Sequence, residues 1–265
     1  MSTDSVSTTG VSRDSVRSGG LRPAAPAAGG QAALDPERLA YYRGYFTEFF
    51  QGDFVLGMGT EDILDTLAES GAGGDWLDLG SGPSTLFWSL ALTGIRSVRS
   101  ADAAPEAVAV LREFAESKDV PRSYEQVLDR YGRDPGHLEQ MRGRIGGYHV
   151  FDAMSPWPAE FAGERFDLVT EFGLFGLAPT ERGYRECFQH LREHVRPGGR
   201  VIGADWIRSA RLITSEGHDN TYLTEELVAT AVREAGLRLR ASRLCPIKGD
   251  ELYDALIVWS AEPVG

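Results

Sequence analysis

The sequence predicts an α/β fold built on a mostly parallel sheet, with helices on both faces. Segments of strand character alternate with amphipathic helical segments between residues 76 and 204, an order typical of parallel sheets. In addition, residues 75–84 lead an apolar strand into a turn with Gly80 and Gly82, and amphipathic sequence resumes at Thr85. A strand, a tight glycine turn and a helix form the ligand crevice of open α/β sheets.

The elements follow in a regular order along the chain. Strands are predicted at residues 76–79, 98–102, 148–152, 165–170 and 200–204, with two last strands near 238–244 and 255–260. Helices are predicted at residues 60–69, 105–117, 180–195 and 224–235. The spacing of Val108, Leu111 and Phe114 indicates a helix, and Thr224 is a typical N-cap. We therefore expect seven strands, the last two forming an antiparallel hairpin around a polar loop.

The chain is expected to hold one domain behind a tail. Residues 1–33 contain almost no large apolar side chain, so they cannot offset the entropy of ordering and are predicted to be disordered. Residues 34–265 are expected to form a single domain with a helical insertion at about 119–147. The aromatic-rich helical segment at about 36–70 has two open interpretations: a helix packed on the sheet, or a lid over the crevice.

Composition narrows the function classes. The 265-residue chain has a formal net charge of −12, which argues against a nucleic-acid partner, since phosphate binding needs a basic face. Cys187 and Cys245 are its two cysteines, which provide neither a disulfide framework nor a clustered soft-metal site. No apolar run is long enough for a membrane span, and no apolar block follows Arg13 and Arg17 as in a secretory signal. A cytoplasmic protein is expected, and the Arg, Ala and Gly content suggests a bacterial source with a GC-rich genome.

The ligand of the glycine turn is indicated by what surrounds it, because a bare Gly-x-Gly is weak evidence. Asp102 lies about 20 residues beyond the turn, where a carboxylate can accept both hydroxyls of a ribose. Thr85 occupies the position of the third glycine of the dinucleotide fingerprint, and Pro83 stiffens the turn. A nicotinamide dinucleotide, which needs room for a pyrophosphate, is the alternative that fits poorly.

In this order and spacing, the motifs resemble those of class I S-adenosylmethionine-dependent methyltransferases. They are Asp78-Leu79-Gly80-Ser81-Gly82, the acids Asp102 and Asp152 at two strand ends, and Arg196-Pro197-Gly198-Gly199 before strand five. A narrower resemblance, from Tyr41 onward, is to the nicotinamide, phenylethanolamine and indolethylamine N-methyltransferases. It rests on the motif with Pro83, the N-terminal tyrosines, the insertion, the closing hairpin and residues 201–209. The resemblance implies a Rossmann-like methyltransferase fold, with S-adenosylmethionine as cofactor and S-adenosylhomocysteine as product.

The resemblance also implies roles for cofactor-binding residues. Gly80, Ser81, Gly82 and Ser84 are expected to contact the methionine part of the cofactor. Asp102 is expected to hold the ribose, with Ala103 beside the adenine, Asp152 accepting from its amino group and Ala153 donating a backbone N–H. Glu171 and Phe172 are expected to line the crevice near the sulfonium, and Tyr45 and Phe50 to close over the cofactor. A phenylalanine at position 50 departs from the family pattern, and a slipped register would make Tyr41 or Tyr42 the functional ring.

Asp205, after predicted strand five, is the first candidate for substrate binding, because it matches the substrate carboxylate of the nicotinamide branch. The alternative is a residue that caps the following loop. Further candidates are Tyr42, Phe172, Trp206, Ser209, Asp250 and Glu251. For Asp250 and Glu251, on the hairpin loop, an ordinary solvated acid is the alternative. Phe175 stands where the family tends to carry an acid, which weakens the case for an identical amine-binding mode.

The expected reaction is an in-line methyl transfer to a small molecule, in which positioning supplies much of the rate. The acceptor is expected to be an amine or an aromatic nitrogen, with O- or C-methylation of a natural-product intermediate as the alternative. Asp205, Tyr45 and Glu171 are the catalytic candidates, and a carboxylate among them would take the proton. No metal is expected, and the protein is expected to be a monomer or a homodimer. A NAD-dependent oxidoreductase and a non-catalytic cofactor-binding protein are the alternatives from other classes.

Overall fold

The computed structural model describes residues 33–264, so the tail predicted at residues 1–33 lies outside the described residues, apart from residue 33. Seven strands form one sheet: β1 (Gly74–Leu79), β2 (Ile95–Asp102), β3 (Ile145–Val150), β4 (Phe166–Phe172), β5 (Val195–Arg208), β6 (Leu237–Pro246) and β7 (Tyr253–Pro263). Their order is β3-β2-β1-β4-β5-β7-β6. The first five strands pair in parallel, and β7 pairs antiparallel with β5 and β6. The predicted fold class is confirmed.

Helices cover both faces of this sheet. They are α1 (Pro36–Phe46), α2 (Thr60–Glu69), α3 (Thr85–Ser89), α4 (Pro105–Glu116), α5 (Arg122–Arg130), α6 (His137–Arg142), α7 (Glu181–Arg192), α8 (Ala210–Glu216) and α9 (Glu225–Glu234). A π-helical turn (Thr47–Gln51) continues α1, and 3-10 turns occupy Ala159–Phe161 and Phe175–Leu177. Side chains cap several of the N-termini: the Thr180 hydroxyl accepts from Gly183 N, and the Thr224 hydroxyl accepts from Leu227 N. Such caps satisfy backbone donors that have no partner within the helix.

The two faces of the sheet carry separate apolar cores. Helices α1 to α6 pack on one face, where Trp76, Leu168 and Ile202 point. Helices α7 and α9 pack on the other, where Leu77 and Val201 point. Because successive side chains of a strand point to opposite faces, the parity of a position decides which core it joins. We call these the α1 face and the α7 face.

Several strands extend further than the sequence predicts, and the extensions of β4 and β5 change the position of predicted site residues. β5 continues to Arg208, because the antiparallel ladder with β7 runs on to the pair Arg208 and Tyr253. Asp205 and Trp206 therefore lie inside the strand and not after it. β4 likewise includes Glu171 and Phe172, which pair with Gly203 and Ala204 of β5. Long-range pairing of this kind leaves no mark in local sequence. By contrast, β3 ends at Val150, so Asp152 lies just beyond it.

Candidate active site

The glycine turn brings the end of β1 close to the loop after β4. Gly80 and Gly82 have φ angles of +59° and +50°, a region that suits glycine. A Cβ atom on Gly80 would lie 2.7 Å from Cβ of Leu174. Position 80 therefore excludes any side chain for two reasons, its backbone conformation and the close approach of the Leu174 side chain.

A cavity of about 140 Å³ opens beside this turn, at the carboxyl ends of β1, β2 and β4. It is lined by Tyr42, Gly80, Asp102, Ala103, Ala104, Phe151, Asp152, Ala153, Met154, Gly173, Leu174 and Leu177. Six of the predicted site residues are thus brought together: Tyr42, Gly80, Asp102, Ala103, Asp152 and Ala153. Gly82 lies next to them, since its N–H donates to Asp102 Oδ2 at 2.8 Å.

Two aspartates supply the polar groups of the cavity. Asp102 accepts from Gly82 N and from Ala104 N, each at 2.8 Å. Burial raises the pKa of Asp102, while these two backbone N–H groups act in the opposite direction. Asp152 accepts from Met154 N at 2.9 Å and from the Ser155 hydroxyl at 2.8 Å. A carboxylate oxygen accepts more than one hydrogen bond, so both aspartates retain capacity for a diol or an amino group of a nucleoside.

A buried polar network supports the turn from below. Asp78 accepts from the hydroxyls of Thr170 and Thr85, both at 2.6 Å, and the Thr85 and Ser100 hydroxyls lie 2.9 Å apart. Burial raises the pKa of Asp78 to about 7, although the threonine hydroxyls act to lower it. The sequence feature that corresponds to this network is Thr85, which stands in place of a third glycine and donates to Asp78 of the glycine motif.

The N-terminal aromatic segment places Tyr42 at the cavity. Burial raises the pKa of its phenol, and the charge of Asp102 adds to the rise. Phe50 is 5% exposed and packs edge-on against Phe87, with ring centroids 5.0 Å apart. Tyr45 packs against Phe49 and Phe50, with ring centroids 4.8 and 5.9 Å away. Tyr42 is thus the aromatic residue of this segment that lines the cavity, whereas Phe50 packs within the core of the α1 face.

An aromatic surface continues from the cavity along the α1 face of β4 and β5. A Cβ atom on Gly173 would lie 3.2 Å from the Trp206 ring, and the Trp206 indole donates to Met58 O at 3.3 Å. Tyr253, which the sequence analysis did not single out, lies 6.3 Å from Trp206 between ring centroids. Phe172 packs 4.9 Å from Trp88. We call Phe172, Trp206 and Tyr253 the aromatic surface.

Several predicted residues lie away from the cavity. Glu171 and Asp205 are fully buried on the α7 face, opposite to Trp206. Asp250 Oδ1 accepts from the backbone N–H groups of Leu252 and Tyr253. Glu251 pairs with Arg211 on an exposed loop, and the Ser209 hydroxyl donates to Glu251 O at 2.6 Å while capping α8. Ser209, Asp250 and Glu251 make these local contacts, and none of the three lines the cavity.

The remaining predicted cofactor residues, Ser81 and Ser84, are also buried beside the turn. The Ser84 hydroxyl donates to Ser81 O at 2.9 Å and accepts from the Trp88 indole at 3.1 Å. Among residues 33–264, no group of three or more His, Cys, Asp or Glu side chains is placed to hold a metal ion. Within the same range, no helix is both long enough and apolar enough to cross a membrane.

One family model and a number of solved structures match the chain. The model of the NNMT/PNMT/TEMT family matches residues 39–254. Among solved structures, the N-methyltransferase NodS of Bradyrhizobium japonicum WM9, in complex with S-adenosylhomocysteine, has a TM-score of 0.51 at 16% identity, covering 77% of this chain and 85% of its own. The DhpI–SAM–HEP complex has a TM-score of 0.51 at 15% identity, covering 89% and 100%. The [4+2]-cyclase SpnF has a TM-score of 0.53 at 15% identity, covering 77% and 81%. No curated protein matches the chain.

Proposed function

The chain belongs to the NNMT/PNMT/TEMT family, an S-adenosylmethionine-dependent methyltransferase family, and on this premise we propose that it methylates a nitrogen atom of a small molecule. The observation that supports this most is the cavity with Asp102 and Asp152 directly beside the aromatic surface. One compartment suits a nucleoside, and the adjoining one suits a flat or cationic acceptor.

For the cofactor, we propose that Asp102 accepts both ribose hydroxyls and that Asp152 accepts from the adenine amino group. Ala103 and Ala153 flank the base, and Gly80, Ser81, Gly82 and Ser84 surround the methionine part. Bound S-adenosylmethionine supplies an electrophilic methyl group on a sulfonium. The acidic lining fits a cationic sulfonium nucleoside better than a pyrophosphate, because two carboxylates in a buried cavity repel an anion.

For the acceptor, we propose the aromatic surface together with Tyr42 and Tyr45. Aromatic faces attract cations within about 6 Å, and they also stack on flat heterocycles. A protonated amine would first release its proton to solvent, because Glu171 and Asp205, the two carboxylates considered as bases, face the opposite side of the sheet. The freed lone pair would then attack the methyl carbon in line as the carbon–sulfur bond breaks, with the bonding electrons staying on sulfur. Alignment of the two reactants then supplies much of the rate.

We propose further that residues 36–70 act as a lid within a single domain spanning residues 34–265. Tyr42 on α1 supports this, since it contacts the same cavity as the strand ends. Two ion pairs, Arg38–Glu106 and Arg43–Glu113, attach α1 to α4. We also propose that the protein is a cytoplasmic bacterial enzyme that modifies a small molecule in natural-product biosynthesis.

The test has two parts. Titration calorimetry of the wild-type protein with S-adenosylhomocysteine should show one site, with NAD as the comparison ligand. A screen of amines, azoles and phenols with methyl-labelled S-adenosylmethionine, with the product methyl located by NMR, should place it on nitrogen. A methyl found on oxygen or carbon would overturn the N-methylation. SpnF, a cyclase on this fold, shows why the acceptor needs its own experiment, since a fold alone does not fix a reaction.

A further inference from the structure

Two carboxyl side chains lie next to each other in the interior of the α7 face. Glu171 of β4 and Asp205 of β5 are both 0% exposed. Glu171 pairs with Gly203 in the parallel ladder, two residues before Asp205, so both side chains leave the sheet on the same side. A Cβ atom on Gly203 would lie 2.3 Å from Glu171 Oε1. The absence of a side chain at position 203 therefore makes room for the pair.

Both carboxyl groups bind the backbone of one turn, the 3-10 turn Phe175–Leu177. Phe175 N–H donates to Glu171 Oε2 at 3.1 Å, and Gly176 N–H donates to Asp205 Oδ1 at 2.5 Å. The Tyr184 hydroxyl of α7 donates to the other Asp205 oxygen at 3.0 Å. On its outer side the turn is held by Asn220 Nδ2, which donates to Gly176 O at 3.2 Å.

The same turn forms one wall of the proposed cofactor cavity. Gly173, Leu174 and Leu177 line that cavity, and Leu174 is the residue whose side chain closely approaches Gly80. A displacement of the turn away from the α7 face would therefore push Leu174 toward the glycine turn and change the width of the cavity. Neither carboxyl group lines the cavity itself.

The ionisation of Glu171 and Asp205 is consistent with a structural role at the Phe175–Leu177 turn. Burial raises the pKa of both groups, and the charge of Asp205 raises the pKa of Glu171 further. Tyr184, Cys187 and Tyr222, which face the pair, also have raised pKa values because they are buried, so they stay neutral. Burial and the charge of Asp205 both favour the protonated form of Glu171, whose Oε1 has no hydrogen-bond partner among the described residues. Gly176 N–H and the Tyr184 hydroxyl act in the opposite direction on Asp205, because they stabilise its carboxylate and lower its pKa.

We propose that Glu171 and Asp205 are positioning residues for methyl transfer: they fix the Phe175–Leu177 turn, and through it the wall of the cofactor cavity. This inference rests on the proposed function, and it replaces direct contact with the acceptor as the role of Asp205.

The test compares cofactor affinity with acceptor affinity in four variants. Asp205→Ala leaves the Gly176 donor unpaired, and we expect S-adenosylhomocysteine to bind about 10-fold more weakly. Asp205→Asn still offers an oxygen to Gly176 N–H and should bind within about twofold of wild type. Gly176→Ala places a methyl group 2.9 Å from Asp205 Oδ1, which displaces the turn without altering either carboxyl group, so it should weaken binding as well. Val232→Ala, a truncation in the core of the α7 face, is the control for a general loss of stability.

Each outcome is decisive. A folded Asp205→Ala or Gly176→Ala protein with wild-type affinity for S-adenosylhomocysteine would overturn the inference, as would an equal loss in Val232→Ala. If Asp205→Ala raised only the KM of the acceptor and left cofactor affinity unchanged, Asp205 would instead be a substrate-binding residue. If Asp205→Ala does not fold, Gly176→Ala and Asp205→Asn carry the test. If the wild-type protein failed to bind S-adenosylhomocysteine, the proposed function itself would be overturned. This outcome is distinguishable because it needs no variant.

Discussion

Asp78, beneath the glycine turn, should make the stability of the protein depend on pH in an unusual direction. Burial raises its pKa from 3.8 to about 7. Each pKa unit corresponds to about 1.4 kcal/mol, so ionising Asp78 costs about 4 kcal/mol more in the folded chain than in the unfolded one. Between these two pKa values the folded state keeps a proton that the unfolded state has released. The contribution of Asp78 to stability is therefore complete below pH 3.8 and is lost as the pH rises through about 7.

Replacing Asp78 by Asn removes this titration with little change in shape. One amide oxygen still accepts from a threonine, and the Thr85 hydroxyl can donate to Ser100, 2.9 Å away. We expect the free energy of unfolding of Asp78→Asn, relative to wild type, to rise by about 2–4 kcal/mol between pH 4.5 and pH 7.5. Urea denaturation at both pH values measures this difference, because the titrations that both proteins share cancel.

Asp75→Asn is the matched control on the same strand. The Arg196 and Arg96 side chains lower the pKa of Asp75 to about 2, so its stabilising effect is present above the unfolded pKa and is lost as the pH falls toward 2. Its substitution should change stability by an amount that is nearly constant from pH 4.5 to 7.5. A difference between Asp78→Asn and wild type that is equally flat over this range would refute the reasoning.

Three further predictions concern the cavity and the aromatic surface beside it. Asp102→Ala should weaken S-adenosylhomocysteine binding at least about 10-fold, because two charge-assisted hydrogen bonds to the ribose are lost; calorimetry measures it, and unchanged affinity would contradict the ribose assignment. Trp206→Ala should raise the KM for the acceptor several-fold and leave the affinity for S-adenosylhomocysteine within about twofold of wild type, since large aromatic side chains dominate contact energies. A variant with weaker S-adenosylhomocysteine binding and an unchanged KM for the acceptor would contradict the assignment of Trp206 to the acceptor site. Gly80→Ala should lower the free energy of unfolding by at least about 1 kcal/mol and abolish cofactor binding, because the new methyl group meets Leu174 and φ stays positive. Urea denaturation and calorimetry measure these two effects. A variant with wild-type stability and wild-type cofactor affinity would contradict the prediction.

The glycine turn and its acids were predictable because they are local features. Gly80 and Gly82 mark the turn, and both Asp102 and Asp152 lie where predicted strands end, so each position follows from a few neighbouring residues. The structure places both acids at one cavity with the glycine turn. Thr85 departs visibly from the dinucleotide fingerprint, but its hydrogen bond to Asp78 depends on the packing of α3 against β1.

The substrate side could not be predicted in the same way. The face on which Asp205 lies depends on the parity of β5, and β5 is 14 residues long because of its pairing with β7. Tyr253 reaches the aromatic surface through the same pairing. Phe50 lies within the π-helical turn Thr47–Gln51, which inserts a residue into the helical repeat, and its ring packs in the core. Each of these depends on contacts between residues far apart in sequence.

Because the two faces of the sheet have separate cores, we expect the two walls of the cavity to differ in mobility. The Phe175–Leu177 wall is anchored in the interior of the α7 face, by groups that water does not reach. The opposite wall, with Tyr42, belongs to α1, which has one buried side chain, Phe46. Two ion pairs attach α1 to α4, the largely buried Arg38–Glu106 and the exposed Arg43–Glu113. Backbone amides of α1 should therefore exchange their hydrogens long before Gly176 does. A ligand would then enter and leave past α1, while the other half of the cavity keeps its shape throughout turnover.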